Sequence, residues 1–365
     1  NGALQLSTVL PSVSAMPEQF DLDPWLVAME GRTWDLSRNR PKKAEMGDYI
    51  TRVLGAKYDA MAECPIWEKT LQEVFQGNQE VIDYVQRAVG YSMTGNTSEQ
   101  AMFLCVGAGA NGKSTILGAI RDVFGSYAAS ARFETFDADV KSTTGDDLAA
   151  LRGKRLVLVI EADQQRKLAE GRIKQVTGGS DLITCRHLYG KDFSYKPEFK
   201  IWMAVNHKPT IRGQDEGIWR RIHLIPFNAR FDGDKRDQFL DEKLRAELPG
   251  ILNWVLEGAE KWRVEGLNPP PMVMAATQEY RRESDIIGLW MADCVVEDPK
   301  KEATQAEIYL SYRNWAGDNG IRPMTSNMLG RVLTERGFTR KKKKKRKTVY
   351  RGLQVNELDW NFQGE

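Results

Sequence analysis

The sequence predicts an α/β fold in which a phosphate-loop core of mostly parallel strands stands between an N-terminal helical domain and a C-terminal winged-helix domain. Three observations predict it. The stretch "VGAGANGKST", Val106 to Thr115, has the spacing G-x-x-x-x-G-K-S. The apolar runs "MFLCV", "RLVLVI", "FKIWMAV" and "RIHLIPF" alternate with helical stretches and read as buried strands. Near the end of the chain, two amphipathic helices precede the basic run "RKKKKKRK", Arg340 to Lys347.

Taken in order, residues 1–95 read as a helical domain, with the turn-rich "MEGRTWDLSRNR" early and the amphipathic "EVIDYVQRAVGY" late. Residues 96–245 form the ATPase core. Residues 246–298 are a helical linker region, in which "LPGILNWVLEGAEKW" buries Leu252, Val255 and Leu256, "GLNPPPMV" makes an elbow and "VMAATQEYRRESDIIGLWMADCVV" continues as one helix. Residues 299–365 form the winged helix-turn-helix unit. There Ile308, Tyr312 and Trp315 share a helical face, Thr325 or Ser326 caps the second helix and Gly337 stops it.

Composition sets bounds on function. With 365 residues, 41% of them hydrophobic and a net charge of only +2, the chain reads as an ordinary globular protein. No apolar stretch reaches membrane-spanning length and no signal peptide is evident, so a cytoplasmic protein is expected, with no membrane partner. Cys64, Cys105, Cys185 and Cys294 form no C-x-x-C pair, which argues against a disulfide framework or a zinc cluster. Charge is uneven. Residues 1–100 carry 9 basic and 14 acidic side chains, whereas residues 300–351 carry 15 basic and 4 acidic, which suggests a polyanion-binding end.

The phosphate loop is the strongest local signal. Gly107, Ala108, Gly109, Ala110, Asn111, Gly112, Lys113, Ser114 and Thr115 would wrap ATP: glycines bring backbone N–H groups to the phosphates, Lys113 reaches the terminal phosphates and Ser114 ligates Mg2+. Hydrolysis also needs a carboxylate at a neighbouring strand end. "RLVLVIEAD" supplies Glu161 as the water-activating or magnesium-proximal acid, with Asp163 as its assistant. Asn206 ends the strand "FKIWMAVNHKP", where it would orient water or sense hydrolysis, or else cap a turn before Pro209. In "DEGIWRRIHLIPF", Arg220 or Arg221 would reach a neighbouring subunit's γ-phosphate, or else make a surface ion pair.

Between these lies "GGSDLITCRHLYGKDFSYKP", read as a hairpin with Tyr189 and Lys191 at its tip and Arg186 and His187 beside it, a stacking ring with positive charge for a nucleic acid backbone. The basic run, with Lys341, Lys342, Lys343, Lys344 and Lys345, reads as the wing because "TVYRGLQV" returns as a strand; a solvated tail or a targeting signal is the alternative.

This ordered series resembles the superfamily 3 helicases, and among them the helicase half of the phage and plasmid primase family, related to the poxvirus primase-helicase. The matching stretches are "GAGANGKST", "LVLVIEAD", "IKQVTGGSDLITCRHLYGKDFSYKP", "MAVNHKP" and "GIWRRIHLIPF", with "AECPIWEKTLQEVFQGNQEVIDYVQRAVGYSMTG" upstream. The resemblance implies an AAA+-like P-loop core working as a homo-oligomeric ring, usually a hexamer, with ATP between subunits and hairpins moving along single-stranded or forked DNA. It further implies Lys113 and Ser114 on phosphate and magnesium, Glu161 as the acid, Asn206 as sensor, Arg221 before Arg220 as the finger, and Lys191, Tyr189 and His187 on DNA. One departure stands out: the family's T-G-G-D is here Thr177, Gly178, Gly179, Ser180 and Asp181.

The expected activity is thus ATP-driven DNA unwinding in the replication of a phage, plasmid or other mobile element. Residues 1–95 lack the clustered acids of a nucleotidyl transferase, so a primase or polymerase would be a further domain or a partner. A rival reading is an ATP-switched DNA-binding initiator or loader that does not unwind. A small-molecule kinase would leave the basic terminal unit without a role.

Overall fold

The computed structural model describes residues 19–140, 145–160, 166–187, 190–233, 236–342 and 347–356. Contacts divide the chain into two units, with the division between Tyr280 and Arg281.

The first unit begins with three short antiparallel strands, β1 Leu26–Met29, β2 Arg32–Asp35 and β3 Arg40–Lys42. Helices α1 Pro65–Val74 and α2 Gln79–Met93 follow, then β4 Met102–Val106, α3 Lys113–Phe124, β5 Ala128–Ala131, α4 Asp146–Ala149, β6 Leu156–Ile160 and α5 Glu170–Thr177. The hairpin β7 Ile183–Arg186 and β8 Asp192–Tyr195 comes next. After it come β9 Lys200–Val205, α6 Glu216–Trp219, β10 Ile222–Pro226, α7 Leu240–Ala246, α8 Leu248–Glu265 and α9 Pro271–Ser284.

Five of these strands form one sheet in the order β10-β4-β9-β6-β5, every pair parallel. The central strands are apolar throughout because both faces are covered. Side chains alternate between two cores. Phe103 and Cys105 of β4, Leu156 and Leu158 of β6, and Trp202 and Ala204 of β9 face one core with α2, α3 and α8. Met102 and Leu104, Val157 and Val159, and Ile201, Met203 and Val205 face the other, where α5 and the Ile211–Trp219 stretch pack. The edge strand β5, "AASA", carries no apolar run and was not expected from the sequence.

Two departures concern the flanks of the core. The expectation of a helical domain over residues 1–95 is corrected over residues 26–42, where β1 to β3 form a sheet; among the described residues the first α-helix begins at Pro65. The reason is a period of two across Gly31, which sits at φ +75° and lets Val27 and Met29 turn inward together. The single helix expected over "VMAATQEYRRESDIIGLWMADCVV" is broken at Asp285, whose carboxylate accepts from Gly288 N at 2.8 Å and caps a new helix.

Buried cations join the N-terminal sheet to the core. The Arg155 guanidinium, before β6, donates to Met93 O at 2.8 Å, Asp23 O at 3.1 Å and Leu26 O at 3.0 Å, and lies over the Tyr127 ring. Helices α2 and α8 cross at two glycines: a Cβ on Gly90 would overlap the backbone of Gly258 and Ala259, and one on Gly258 would overlap the carbonyl of Gln86.

The second unit contains α10 Ile286–Cys294, β11 Val295–Thr304, α11 Gln305–Asp318, α12 Ser326–Glu335, β12 Thr339–Lys342 and β13 Thr348–Val355. The three strands pair antiparallel in the order β11-β13-β12. Ile308, Tyr312, Leu329, Leu333, Tyr350 and Leu353 form its core. Thr304 and Thr325 cap the two longer helices by accepting from Glu307 N and Met328 N. β11 was not expected. Its middle, Glu297 to Glu302, is charged apart from Pro299 and mostly exposed, so no alternation marks it. Among the described residues no helix is long and apolar enough to cross a membrane.

Candidate functional site

The phosphate loop leaves the carboxyl end of β4 and enters α3. Ala110 at φ +58° and Gly112 at φ +84° set the curl. A Cβ on Gly112 would come within 2.6 Å of Val74 Cγ2, so this position requires glycine for space as well as for φ. Asn111 locks the loop from inside: its amide donates to Ala108 O and, at 3.3 Å, to Phe227 O. The first N–H groups of the 12-residue α3 face the loop, which joins the dipole of a helix N-terminus to a glycine cradle, an arrangement suited to phosphate.

Lys113 is 6% exposed, and its ammonium points back into the loop, donating to Gly107 O at 2.5 Å, Asn111 Oδ1 at 3.1 Å and Asn206 Oδ1 at 3.4 Å. Burial holds it below the usual lysine range. Ser114 is exposed on the first turn of α3. These residues fit a nucleotide triphosphate: a backbone cradle, one buried ammonium and an exposed hydroxyl on the first helical turn.

The sheet order brings the next residues alongside. Val106 pairs with Val205 and Ala204 with Ile160, so the carboxyl ends of β4, β9 and β6 lie level and adjacent. Ligands of such sheets bind outside those ends. Asn206 follows β9 directly and meets Lys113. Ile160, at the end of β6, lines the same cleft, but Glu161 and Asp163, the acids chosen from sequence, lie outside the described residues.

The cleft has a volume of about 1010 Å³ and a wall that the sequence reading missed. Helix α1 contributes Ile66, Thr70 and Val74, and the stretch after β10 contributes Phe231 and Leu240, with Phe231 N donating to Ala110 O at 2.8 Å. The same segments bring Lys69, Glu73, Arg236 and Asp237 to the cleft, and a wall of mixed apolar and charged side chains beside a phosphate cradle suits a nucleotide base. No motif marks these residues, which belong to ordinary amphipathic elements.

The two arginines diverge. Arg221 is 7% exposed, with Nε donating to Thr177 Oγ1 at 3.1 Å and a second bond to Gly217 O. Arg220 is exposed and donates to Gln100 Oε1 at 2.5 Å. Arg221 is thus committed inside the fold, whereas Arg220 stands at the surface.

In the hairpin, Arg186 pairs with Asp192 at the last rung, and Gly190 N donates to His187 O at 2.7 Å to close the tip. Arg186, His187 and Lys191 are exposed, and the His187 ring stacks on Phe193 at 5.3 Å. Tyr189 lies outside the described residues. In the second unit, all four residues of β12, Thr339–Lys342, are exposed on an edge strand. Lys341 and Lys342 are therefore available to a polyanion, whereas Lys343, Lys344 and Lys345 lie outside the described residues.

Residues 105–221 match a family described as of unknown function, DUF5906, and residues 3–76 match the D5 N terminal like family. The chain is 27% identical over 323 residues to a protein named provisionally as a helicase of Acanthamoeba polyphaga mimivirus, covering 82% of this chain and 34% of that protein. It is 24% identical over 353 residues to a similarly named protein of Invertebrate iridescent virus 3, covering 86% and 37%. A protein named provisionally as a primase, from African swine fever virus (isolate Tick/Malawi/Lil 20-1/1983), is 23% identical over 243 residues, covering 60% and 25%. The chain thus spans between 25% and 37% of the length of these relatives. Among solved structures, the apo A form of the NrS-1 C-terminal region matches with a TM-score of 0.51 at 13% identity, covering 88% of this chain and 84% of that one, a likeness of fold.

Proposed function

We propose, for a chain related to the D5-like primase-helicases of DNA viruses, that it is the ATP-driven motor of a replicative DNA helicase. The observation that carries the reading is the contact of Lys113 with Asn206 at the carboxyl edge of a parallel sheet whose core also bears an exposed cationic hairpin.

In this reading ATP with Mg2+ supplies the phosphoanhydride and the cation that neutralises it. Gly107 to Thr115 hold the phosphates, Ser114 and Glu161 hold the metal, and Glu161 with Asp163 activates water that Asn206 orients. The base lies between Ile66 and Val74 on one side and Phe231 and Leu240 on the other. Arg220 reaches the nucleotide of the next subunit in a ring, which we take to be a hexamer of the superfamily 3 type. The strand order, with the Asn206 strand between the loop strand and the acid strand, supports an AAA+-like core.

Arg186, His187, Tyr189 and Lys191 engage single-stranded or forked DNA by charge and stacking. The second unit, with α11, α12 and the β12–β13 hairpin, is read as a winged helix whose basic strand grips duplex phosphates. The setting is replication of viral or other mobile DNA in the host cytoplasm. Priming belongs to another domain or partner. That same basic edge strand favours a second reading, an ATP-switched initiator or loader that assembles on duplex DNA without unwinding it.

The test uses one preparation and three readouts: ATP turnover with and without single-stranded DNA, strand separation of a forked duplex, and a particle count by imaging. Stimulated turnover, an opened fork and closed rings are expected. Turnover indifferent to DNA would sink the motor reading, and stimulated turnover with a closed fork would favour the initiator.

A further inference from the structure

Two segments run side by side in the first unit. Residues 166–177 include α5 and lead into β7; residues 210–221 follow Asn206 and lead to the arginines. They are tied in register along their whole length. Thr210 N donates to Arg166 O at 2.7 Å and Leu168 N to Thr210 O at 3.1 Å, one rung of parallel pairing. Glu170 Oε1 accepts from both Arg212 N and Gly213 N at 2.8 Å. Lys174 Nζ lies 2.7 Å from Asp215 Oδ1, and Thr177 Oγ1 accepts from Arg221 Nε at 3.1 Å.

On α5 the three side chains fall at i, i+4 and i+7, one face of a helix. The neighbouring face carries Ile173 and Val176 into the same core as Ile211, Ile218 and Trp219. One glycine allows the approach: a Cβ on Gly213 would overlap the Glu170 carboxylate. At the far end Gln100 closes the seam, donating to Gly178 O at 2.9 Å and accepting from Arg220 at 2.5 Å.

We propose that this seam is the transmission of the motor: residues 166–177 and 210–221 move as one rod, so that a change at Asn206 or at Arg220 displaces the hairpin. The inference rests on the motor reading above. Glu170, Lys174 and Thr177 are positioning residues, and Arg221 belongs with them, as an internal tie holding the hairpin base to the segment that presents Arg220. Lys174 and Asp215 suit this task. Their pair is partly exposed, worth little to stability, and fixes direction because Asp215 sits one residue before the turn that leads to the arginines.

The test compares Lys174→Asp, Asp215→Lys and the double exchange in the full chain, reading DNA-free ATP turnover, its stimulation by single-stranded DNA, and fork unwinding. Each single variant should keep DNA-free turnover within about twofold of wild type and lose stimulation and unwinding by at least tenfold. The double exchange should regain most of both. Single variants that unwind as wild type, or a double exchange as defective as its parents, would overturn the transmission. Should Lys174→Asp melt early, Thr177→Val against Thr177→Ser makes the same comparison, with loss expected for Val and rescue for Ser. A wild-type protein without DNA-stimulated turnover would instead remove the motor reading itself.

Discussion

Lys113 Nζ lies 3.4 Å from Asn206 Oδ1, so the residue that ends β9 meets the ammonium held inside the glycine loop. The two residues carry different parts of the task, and substitutions should separate them. Lys113→Ala removes the only ammonium inside the loop and should abolish both tight nucleotide binding and turnover. Asn206→Ala should leave nucleotide affinity within a few-fold while lowering kcat by about 10²–10³, the cost of losing one preorganised polar group at a reacting centre. Nucleotide titration beside turnover reads the split, and equal losses in binding for both variants would remove Asn206 from the chemistry.

Arg220 and Arg221 should fail in different ways. Arg220→Ala should stop turnover, with partial recovery when mixed with Lys113→Ala subunits, because one of the two kinds of mixed interface then joins an intact Lys113 to an intact Arg220. Arg221→Ala deletes a buried guanidinium bonded to Thr177 and Gly217 and should lower stability by about 2 kcal/mol. Denaturant unfolding and subunit mixing distinguish them. A stable, inactive Arg221→Ala that is rescued in mixtures would restore it as the finger.

Gly90 has no room for a methyl group against the backbone of Gly258 and Ala259. Gly90→Ala must push α2 and α8 apart and should cost about 3 kcal/mol or more, at the upper end of overpacking penalties. Gly109→Ala, whose Cβ would meet nothing within 4 Å, should be nearly neutral for stability. Comparing their unfolding midpoints tests the close helix crossing directly.

His223 lies under the sheet edge with Nδ1 2.7 Å from the Tyr84 hydroxyl, and burial pushes it from 6.5 down to about 4. Its folded value is depressed, so between pH 6.5 and 4 the unfolded chain binds the extra proton. Stability from this group is full above pH 6.5 and is lost as pH falls towards 4. The shift corresponds to about 3 kcal/mol. Between pH 7 and 4 the wild type should therefore lose about that much more stability than His223→Asn, which cannot titrate. Parallel losses in the two proteins would contradict the buried neutral imidazole.

Much of this was legible in the sequence, for physical reasons that also explain what was not. The phosphate loop is local: its glycines, lysine and serine act within nine residues of one another, so spacing alone displays it. The central strands are legible because burial on both faces makes them apolar throughout. The slot opposite the loop was invisible, since Ile66, Thr70 and Val74 sit on a helix whose amphipathic pattern resembles any other. The N-terminal sheet was missed because strands of three or four residues carry too few alternations to outweigh the surrounding polar turns. The choice between Arg220 and Arg221 depends on the phase of the single turn α6, which is set by Ile218 and Trp219 finding the core.

Arg155 ties the small leading sheet to the five-stranded one. A fragment opened at β4 would discard Asp23, Leu26 and Met93 together, leaving a permanently charged group at the start of β6 without the three carbonyls that receive it. Any attempt to isolate a minimal catalytic piece must start upstream of residue 23, or replace that arginine with an uncharged side chain of similar bulk.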